Sequence, residues 1–229
     1  MAEILDQKVC LTPEIILFDW DGVLVDTKDL IHEAYLATFA ALDQDPINID
    51  AAHQLPGTSM RDYFPQIFGQ KASEAEQVFY KHIHANHITC LKTMPHALEL
   101  LTEIKRQEIP MAVVSNKRGD ILRKEAKHLG YDSFFYDMVG ATDCQEDKPS
   151  KIPIMHVLKP QKKKLPNPKI WFVGDWKADM ECAHNAGIVP VLMGNTVLKN
   201  PGKGGFPPKI YTESCLDLKN LLIQYIEGR

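Results

Sequence analysis

Short apolar runs punctuate this chain, and each stops abruptly at polar or acidic residues. Residues 15–18, 111–114, 138–139, 171–173 and 189–193 are blocks of almost uninterrupted apolar side chains. Blocks of that length without polar alternation predict strands buried on both faces, as in a parallel sheet. Between them, residues recur at helical spacing: Leu98, Leu101 and Ile104; then Ile121, Leu122, Glu125 and Leu129; then Met180 and Ala183. Strands alternating with helices predict an α/β fold, a Rossmann-like parallel sheet with helices on both faces. A last helix over about 216–225 sets Leu218, Leu221, Leu222 and Tyr225 at helical spacing and is expected to close the core.

Residues 28–92 break this rhythm. They carry no convincing strand and predict helices at 30–42, near Ala51, at 60–68 and at 74–90. The expected organisation is a core of residues 1–27 and 93–229 with an all-helical insertion at 28–92. The core resumes at Met94-Pro95, just ahead of Ala97-Leu98-Glu99-Leu100-Leu101. The Gly- and Pro-rich stretch 194–208 is long for a connector and is expected either to cover one edge of a site or to be partly mobile. No internal repeat is present.

Composition narrows the class. With 229 residues, 45% hydrophobic and 24% charged, the chain can bury one sizeable core and a smaller second unit. A net charge of −4 gives no general attraction to nucleic acid or to an acidic membrane. The first residues carry Glu3 and Asp6 rather than a basic segment followed by an apolar one, and no run approaches transmembrane length. Five cysteines (Cys10, Cys90, Cys144, Cys182, Cys215) are scattered without a C-x-x-C pair, which suits reduced thiols in a cytoplasmic protein.

The candidate chemistry collects where the apolar runs end. Residues 15–18 run into Asp19-Trp20-Asp21-Gly22, two carboxylates at a strand end, where open α/β sheets bind ligands. Such a pair repels itself unless a cation, a shared proton or a positive ligand compensates. One carboxylate can attack phosphorus while the other manages a proton. Residues 111–114 end in Ser115-Asn116, whose hydroxyl and following N–H groups can hold phosphoryl oxygens without adding charge. Lys148 stands before Pro149-Ser150, which suits the opening of a helix. Residues 171–173 end in Gly174-Asp175, with Asp179 four residues on, hard oxygen donors of the kind Mg²⁺ takes. Singly, each has a plainer reading: an acidic turn, ordinary turn chemistry, a solvated lysine, an acidic helix N-terminus.

In order and together, these segments resemble the motifs of the haloacid dehalogenase (HAD) superfamily in its phosphatase form. The first motif, D-x-D-G-[VT]-[LI]-x-D-[ST], lies at 19–27, and G-D-x-x-x-D lies at 174–179 before a helix ending in Ala186-Gly187. The resemblance runs from about 15 to about 211 and is to the phosphoglycolate-phosphatase-like branch; dehalogenases carry a non-acidic residue where Asp21 stands. It implies a HAD core with an α-helical cap at 28–92 that selects the substrate, a small phosphorylated metabolite. It implies Mg²⁺ held by Asp19, the Asp21 backbone carbonyl and Asp175, with Asp179 supporting the metal through water or orienting Lys148. Asp19 would form an aspartyl-phosphate, Asp21 would act as general acid and then base, and Ser115, Asn116 and Lys148 would hold the phosphoryl oxygens. Gly57-Thr58-Ser59-Met60-Arg61 resembles the cap loop that faces the active site. There Arg61 either contacts an anionic leaving group or is a solvated arginine at a helix start. Trp176 and Pro95-His96 depart from the small hydroxyl residue and the Pro-Gly hinge usual in the family.

Rival readings are a sugar-phosphate mutase of β-phosphoglucomutase type and a non-catalytic HAD-fold binding protein. The second is disfavoured because every acidic position is retained. A phosphonatase is disfavoured because that branch lacks the acid that Asp21 provides. His82, His84 and His87 do not share one helical face and do not read as a metal site. Lys162-Lys163-Lys164, bounded by Pro160, Pro166 and Pro168, reads as a solvated loop rather than a nucleic-acid patch. The motifs are silent on oligomeric state.

Overall fold

A computed structural model of the chain describes residues 2–47, 59–202 and 205–226. The chain divides into two compact units, Met1–Val25 with Thr93–Arg229, and Asp26–Lys92.

The first unit is built on a sheet that, among the described residues, has seven strands. Its middle is β2 (Ile15–Phe18), flanked in parallel by β5 (Met111–Arg118) and β7 (Ile170–Gly174). Beyond β5 lies β6 (Asp137–Ala141); beyond β7 lie β8 (Val189–Met193), β9 (Ile210–Thr212) and β1 (Glu3–Ile4). All neighbours are parallel except β1, which pairs antiparallel with β9. Every residue of β2 is buried, because a central parallel strand is covered on both faces. Burying each of its side chains is worth about 1.5–3 kcal/mol, which explains why that run is wholly apolar.

Ile15 and Leu17 pack with Ala112, Val114, Val139 and Phe172 against α6 (Ile152–Leu158) and α7 (Lys177–Ala186). Ile16 and Phe18 point to the opposite face by strand alternation. Around the sheet the unit also carries α4 (Ala97–Arg106), α5 (Gly119–Leu129) and α8 (Cys215–Ile226), with α4 packed on α8. The expected parallel α/β sheet is what the chain forms.

The second unit contains α1 (Lys28–Ala41), α2 (Met60–Phe68) and α3 (Ala72–Asn86). Its core is aromatic: Tyr35 of α1 meets Phe79 of α3 at 5.1 Å between ring centroids, and Phe39 meets Phe68 at the same distance. Phe64 joins Tyr35, Phe68 and Phe79. The helix expected near Ala51 and the loop residues Gly57 and Thr58 lie outside the described residues. The two crossings between the units, β3 (Val25–Asp26) and β4 (Lys92–Thr93), pair as a two-stranded sheet.

Two expectations are corrected in detail. The helix after Lys148 opens at Ile152 with Pro153 in its first turn, so Pro149 lies ahead of it. Strand β5 runs on through Ser115 and Asn116 to Arg118, past the end of its apolar run. The basic run leaves Lys162 and Lys164 exposed, while Lys163 and the nearby Lys169 both pair with Glu14. Part of the 194–208 stretch is tied down by Lys199 on Glu3 at 2.6 Å and by His184 Nε2 at 2.8 Å from the Pro207 carbonyl oxygen. Among the described residues no helix is long and apolar enough to cross a membrane.

Candidate active site

The three central strands deliver their polar ends to one edge of the sheet. Phe18 lies in register with Val113 and Val173 on its two sides, so Asp19, Ser115 and Asp175 emerge within two residues of that line. The Asp19 N–H continues the ladder by donating to the Val173 carbonyl at 2.8 Å. The chain then turns at Gly22, which sits at φ +78°, and a Cβ there would stand 2.1 Å from an Asp175 carboxylate oxygen. Only glycine allows that turn and that approach together.

Lys148 binds the acids into one cluster. Its buried ammonium lies 2.8 Å from Asp19 Oδ1, as an ion pair, and donates to Asp179 Oδ1 at 2.7 Å. Burial acts to lower the pKa of Lys148, but Asp179 and Asp19 outweigh it and hold the ammonium charged. The other oxygen of Asp179 accepts the Trp176 backbone N–H at 3.0 Å, fixing the start of α7. Trp176 thus serves through its main chain at the position where the family has a small hydroxyl residue.

Asn116 makes contacts that its sequence position did not foretell. Its amide donates to the Lys148 carbonyl at 3.0 Å and accepts the Lys148 N–H at 3.0 Å. This pair of bonds clamps the Lys148 backbone to the end of β5, so the side chain positions Lys148. The Ser115 hydroxyl is buried and accepts the Lys117 N–H at 3.2 Å.

Asp19, Asp175 and Asp179 each offer an oxygen within 4.8 Å of the others, the one such group of potential ligands among the described residues. With a single ammonium among three carboxylates, full ionisation would leave excess negative charge. Burial raises Asp19 to about 6, against the opposing pull of Lys148. Loss of water, then Asp179 and Asp19, push Asp175 well above the usual carboxylate range. An all-oxygen donor set with uncompensated charge suits a hard divalent cation. Asn195, beyond β8, steadies the far side by donating to the Asp175 carbonyl at 3.1 Å.

Asp21 stands apart from this cluster, its side chain 23% exposed, with Lys117 Nζ 2.7 Å from its Oδ1. Lys117 also donates to both oxygens of Glu125, at 3.1 and 2.8 Å, and the Trp20 indole N–H donates to Glu125 Oε2 at 2.8 Å. Burial acts against the charge of Lys117, but Asp21 and Glu125 win and raise its pKa. Sequence reasoning missed this group, although a signal was present. Lys117 follows Ser115 by two residues on one strand, and Glu125 occupies a core-facing place in an apolar helical pattern.

The remaining candidates are accounted for. Arg61 lies exposed in the first turn of α2, in the second unit. His84 and His87 rings are 6.2 Å apart and His82 lies 3.9 Å from Glu33, with no ligand group formed among them. Cys182, buried against the site, donates to the Ser150 carbonyl, and burial pushes its thiol far up. A thiol so placed is no nucleophile.

A parallel α/β sheet with carboxylates on adjoining strand ends and a buried lysine between them defines a class. The family model described as haloacid dehalogenase-like hydrolase matches residues 16–193, and the chain belongs to that family. Phosphoglycolate phosphatase of Aquifex aeolicus is 30% identical over 78% of this chain and 83% of its own length. Pyrophosphatase PpaX of Halalkalibacterium halodurans is 26% identical over 90% of this chain and 95% of its own. Among solved structures, a HAD-superfamily hydrolase from Ehrlichia chaffeensis superposes with a TM-score of 0.64 at 24% identity, over 94% and 98% of the two chains. A haloacid dehalogenase-like hydrolase from Streptococcus pneumoniae gives 0.68 at 23%, over the same shares, and these two likenesses speak to the fold. The chain is therefore an enzyme of the HAD hydrolase class, with relatives named as phosphatases.

Proposed function

We propose that the chain is a Mg²⁺-dependent phosphatase acting on a small phosphorylated metabolite through an aspartyl-phosphate on Asp19. The observation that carries this is the buried Lys148 ammonium shared by Asp19 and Asp179 beside Asp175. That arrangement holds a carboxylate nucleophile next to positive charge and leaves hard oxygens for a cation. Asp19, the Asp21 carbonyl and Asp175 would hold Mg²⁺, which supplies charge neutralisation on the transferred phosphoryl group.

An Asp19 oxygen attacks phosphorus, and the bond from phosphorus to the leaving oxygen breaks with its electron pair. Asp21 gives that oxygen a proton, and the resulting Asp21 carboxylate then takes one from the water that attacks the phosphoenzyme. Asp19 leaves as carboxylate and inorganic phosphate is released. Lys148 and Ser115 hold phosphoryl oxygens, while Asn116 and Asp179 keep Lys148 in place. The same reading takes residues 28–92 as the cap that selects the substrate, with Arg61 as its candidate reader of an anionic leaving group.

The test is phosphate release from p-nitrophenyl phosphate and from a panel of metabolite phosphomonoesters, with Mg²⁺ and with chelator. Net release that needs Mg²⁺ and disappears in Asp19→Asn is the expected result. The amide is nearly isosteric but a poor nucleophile. Activity of Asp19→Asn within about tenfold of the parent, or about 1.4 kcal/mol of barrier, would overturn the assignment. Transfer of phosphate between sugar positions without net release would replace hydrolysis by mutase chemistry.

A further inference from the structure

We infer that Lys117, held by Glu125 and Trp20, is a positioning residue that fixes which oxygen of Asp21 exchanges a proton with the leaving group. This deepens the proposed function and rests on its reading of Asp21 as the general acid.

An ammonium has three donors and no acceptor. Oδ1 of Asp21, 2.7 Å from Lys117 Nζ, is therefore fixed as an acceptor, and the exchangeable proton of Asp21 is carried by Oδ2. Lys117 itself has little freedom. Its side chain is 8% exposed, and both oxygens of the fully buried Glu125 accept from its ammonium. Glu125 is fixed in turn by the Trp20 indole N–H, and Trp20 is wholly buried, edge-on to Tyr131 at 6.3 Å. Trp20 stands between Asp19 and Asp21 in sequence, so the peptide that carries both carboxylates is anchored at its centre by the same Glu125.

Glu125 takes the other side of the same ammonium, so Lys117 is held from two directions and stays on Asp21 Oδ1. A buried ion pair is a poor stabiliser beside an apolar pair of the same volume. Its presence one residue-contact from the reacting edge is explained by this task.

The reading has a signature that a merely structural lysine lacks. A p-nitrophenolate departs without a proton, whereas an alkoxide needs one as the bond to phosphorus breaks. The ratio kcat/KM covers events up to phosphoenzyme formation, so it isolates the step in which Asp21 is an acid. The experiment measures kcat/KM of the Mg²⁺-loaded full chain for p-nitrophenyl phosphate and for ethyl phosphate. The variants are Lys117→Met, the double variant Lys117→Gln with Glu125→Gln, and Asp21→Asn. The double variant leaves no unpaired buried charge and retains hydrogen-bonding groups, so it guards against misfolding of the first. Both Lys117 variants are expected to lose at least about tenfold more on ethyl phosphate than on p-nitrophenyl phosphate, in the same direction as Asp21→Asn. Equal losses on the two substrates in the folded Lys117 variants, with Asp21→Asn still selective, would overturn the inference alone. Equal losses in Asp21→Asn as well would overturn the general-acid reading and the inference with it.

Discussion

At the scale of single residues, the site is a set of commitments that leave few side chains interchangeable. Asn116 shows this best. A residue expected to touch the phosphoryl group has both ends of its amide on the Lys148 main chain. Sequence could place Asn116 at the right strand end but could not say which way its amide would be spent, because that depends on a loop thirty-two residues away. The same holds for Lys117 and Glu125, whose partnership joins a strand to the following helix and appears in no short motif. Asn116→Ala should therefore act through Lys148. Two partly buried hydrogen bonds worth about 0.5–1.5 kcal/mol each are lost, and the unpaired Lys148 backbone groups add to the cost. We expect a loss of about 1–3 kcal/mol in stability from chemical unfolding, together with at least about tenfold in kcat. A variant that folds as stably as the parent and binds phosphate more weakly would return Asn116 to direct substrate contact.

At the scale of elements, legibility followed burial. The central strand β2 and the strand β8 match the apolar runs that predicted them, because a doubly covered strand has no polar residue to confuse its ends. Strand β5 outran its apolar block because Ser115, Asn116 and Lys117 belong to both the ladder and the site. The strands β1 and β9 gave no signal; they are two and three residues long, and β1 is the edge strand beside β9. A related point concerns the start of α4, where His96 replaces the glycine usual in the family. His96 adopts φ +62°, the left-handed region that glycine occupies without cost, and its ring lies 2.9 Å from Glu99. The backbone adopts a conformation that suits glycine, while the side chain has a partner in the first turn. His96→Gly should consequently stay within about 1 kcal/mol of the parent, the relieved strain offsetting the lost contact. His96→Val should lose about 1–2 kcal/mol or more, since a β-branched residue is an outlier there. Thermal unfolding of both variants checks this, and equal stability of the two would mean that the turn readily leaves the left-handed region.

At the scale of the whole molecule, folding gathers carboxylates that repel one another, and on the proposed function a proton and a divalent cation would compete to relieve them. The folded protein without metal raises Asp19 from an ordinary value of 3.8 to about 6, chiefly through burial, and raises Asp175 as well. A carboxyl whose folded pKa lies above its unfolded value binds its proton more tightly when folded. Its contribution to stability is full below the unfolded value and is lost as pH rises through the folded one. For Asp19 that window runs from about 4 to about 6. A divalent cation on the same oxygens must displace the proton, so its binding strengthens over the same window. Ligand binding to the folded state raises the melting temperature in proportion to its affinity on a logarithmic scale. The rise caused by saturating Mg²⁺ over chelator should therefore be small at about pH 5 and distinctly larger at about pH 7.5. In Asp19→Asn one of the competing protons is gone, and the increase with pH should shrink. Differential scanning calorimetry of the two proteins at the two pH values makes the comparison without any substrate. A Mg²⁺-induced shift that does not change with pH in the parent would mean that the cation is not taking its place on these carboxylates.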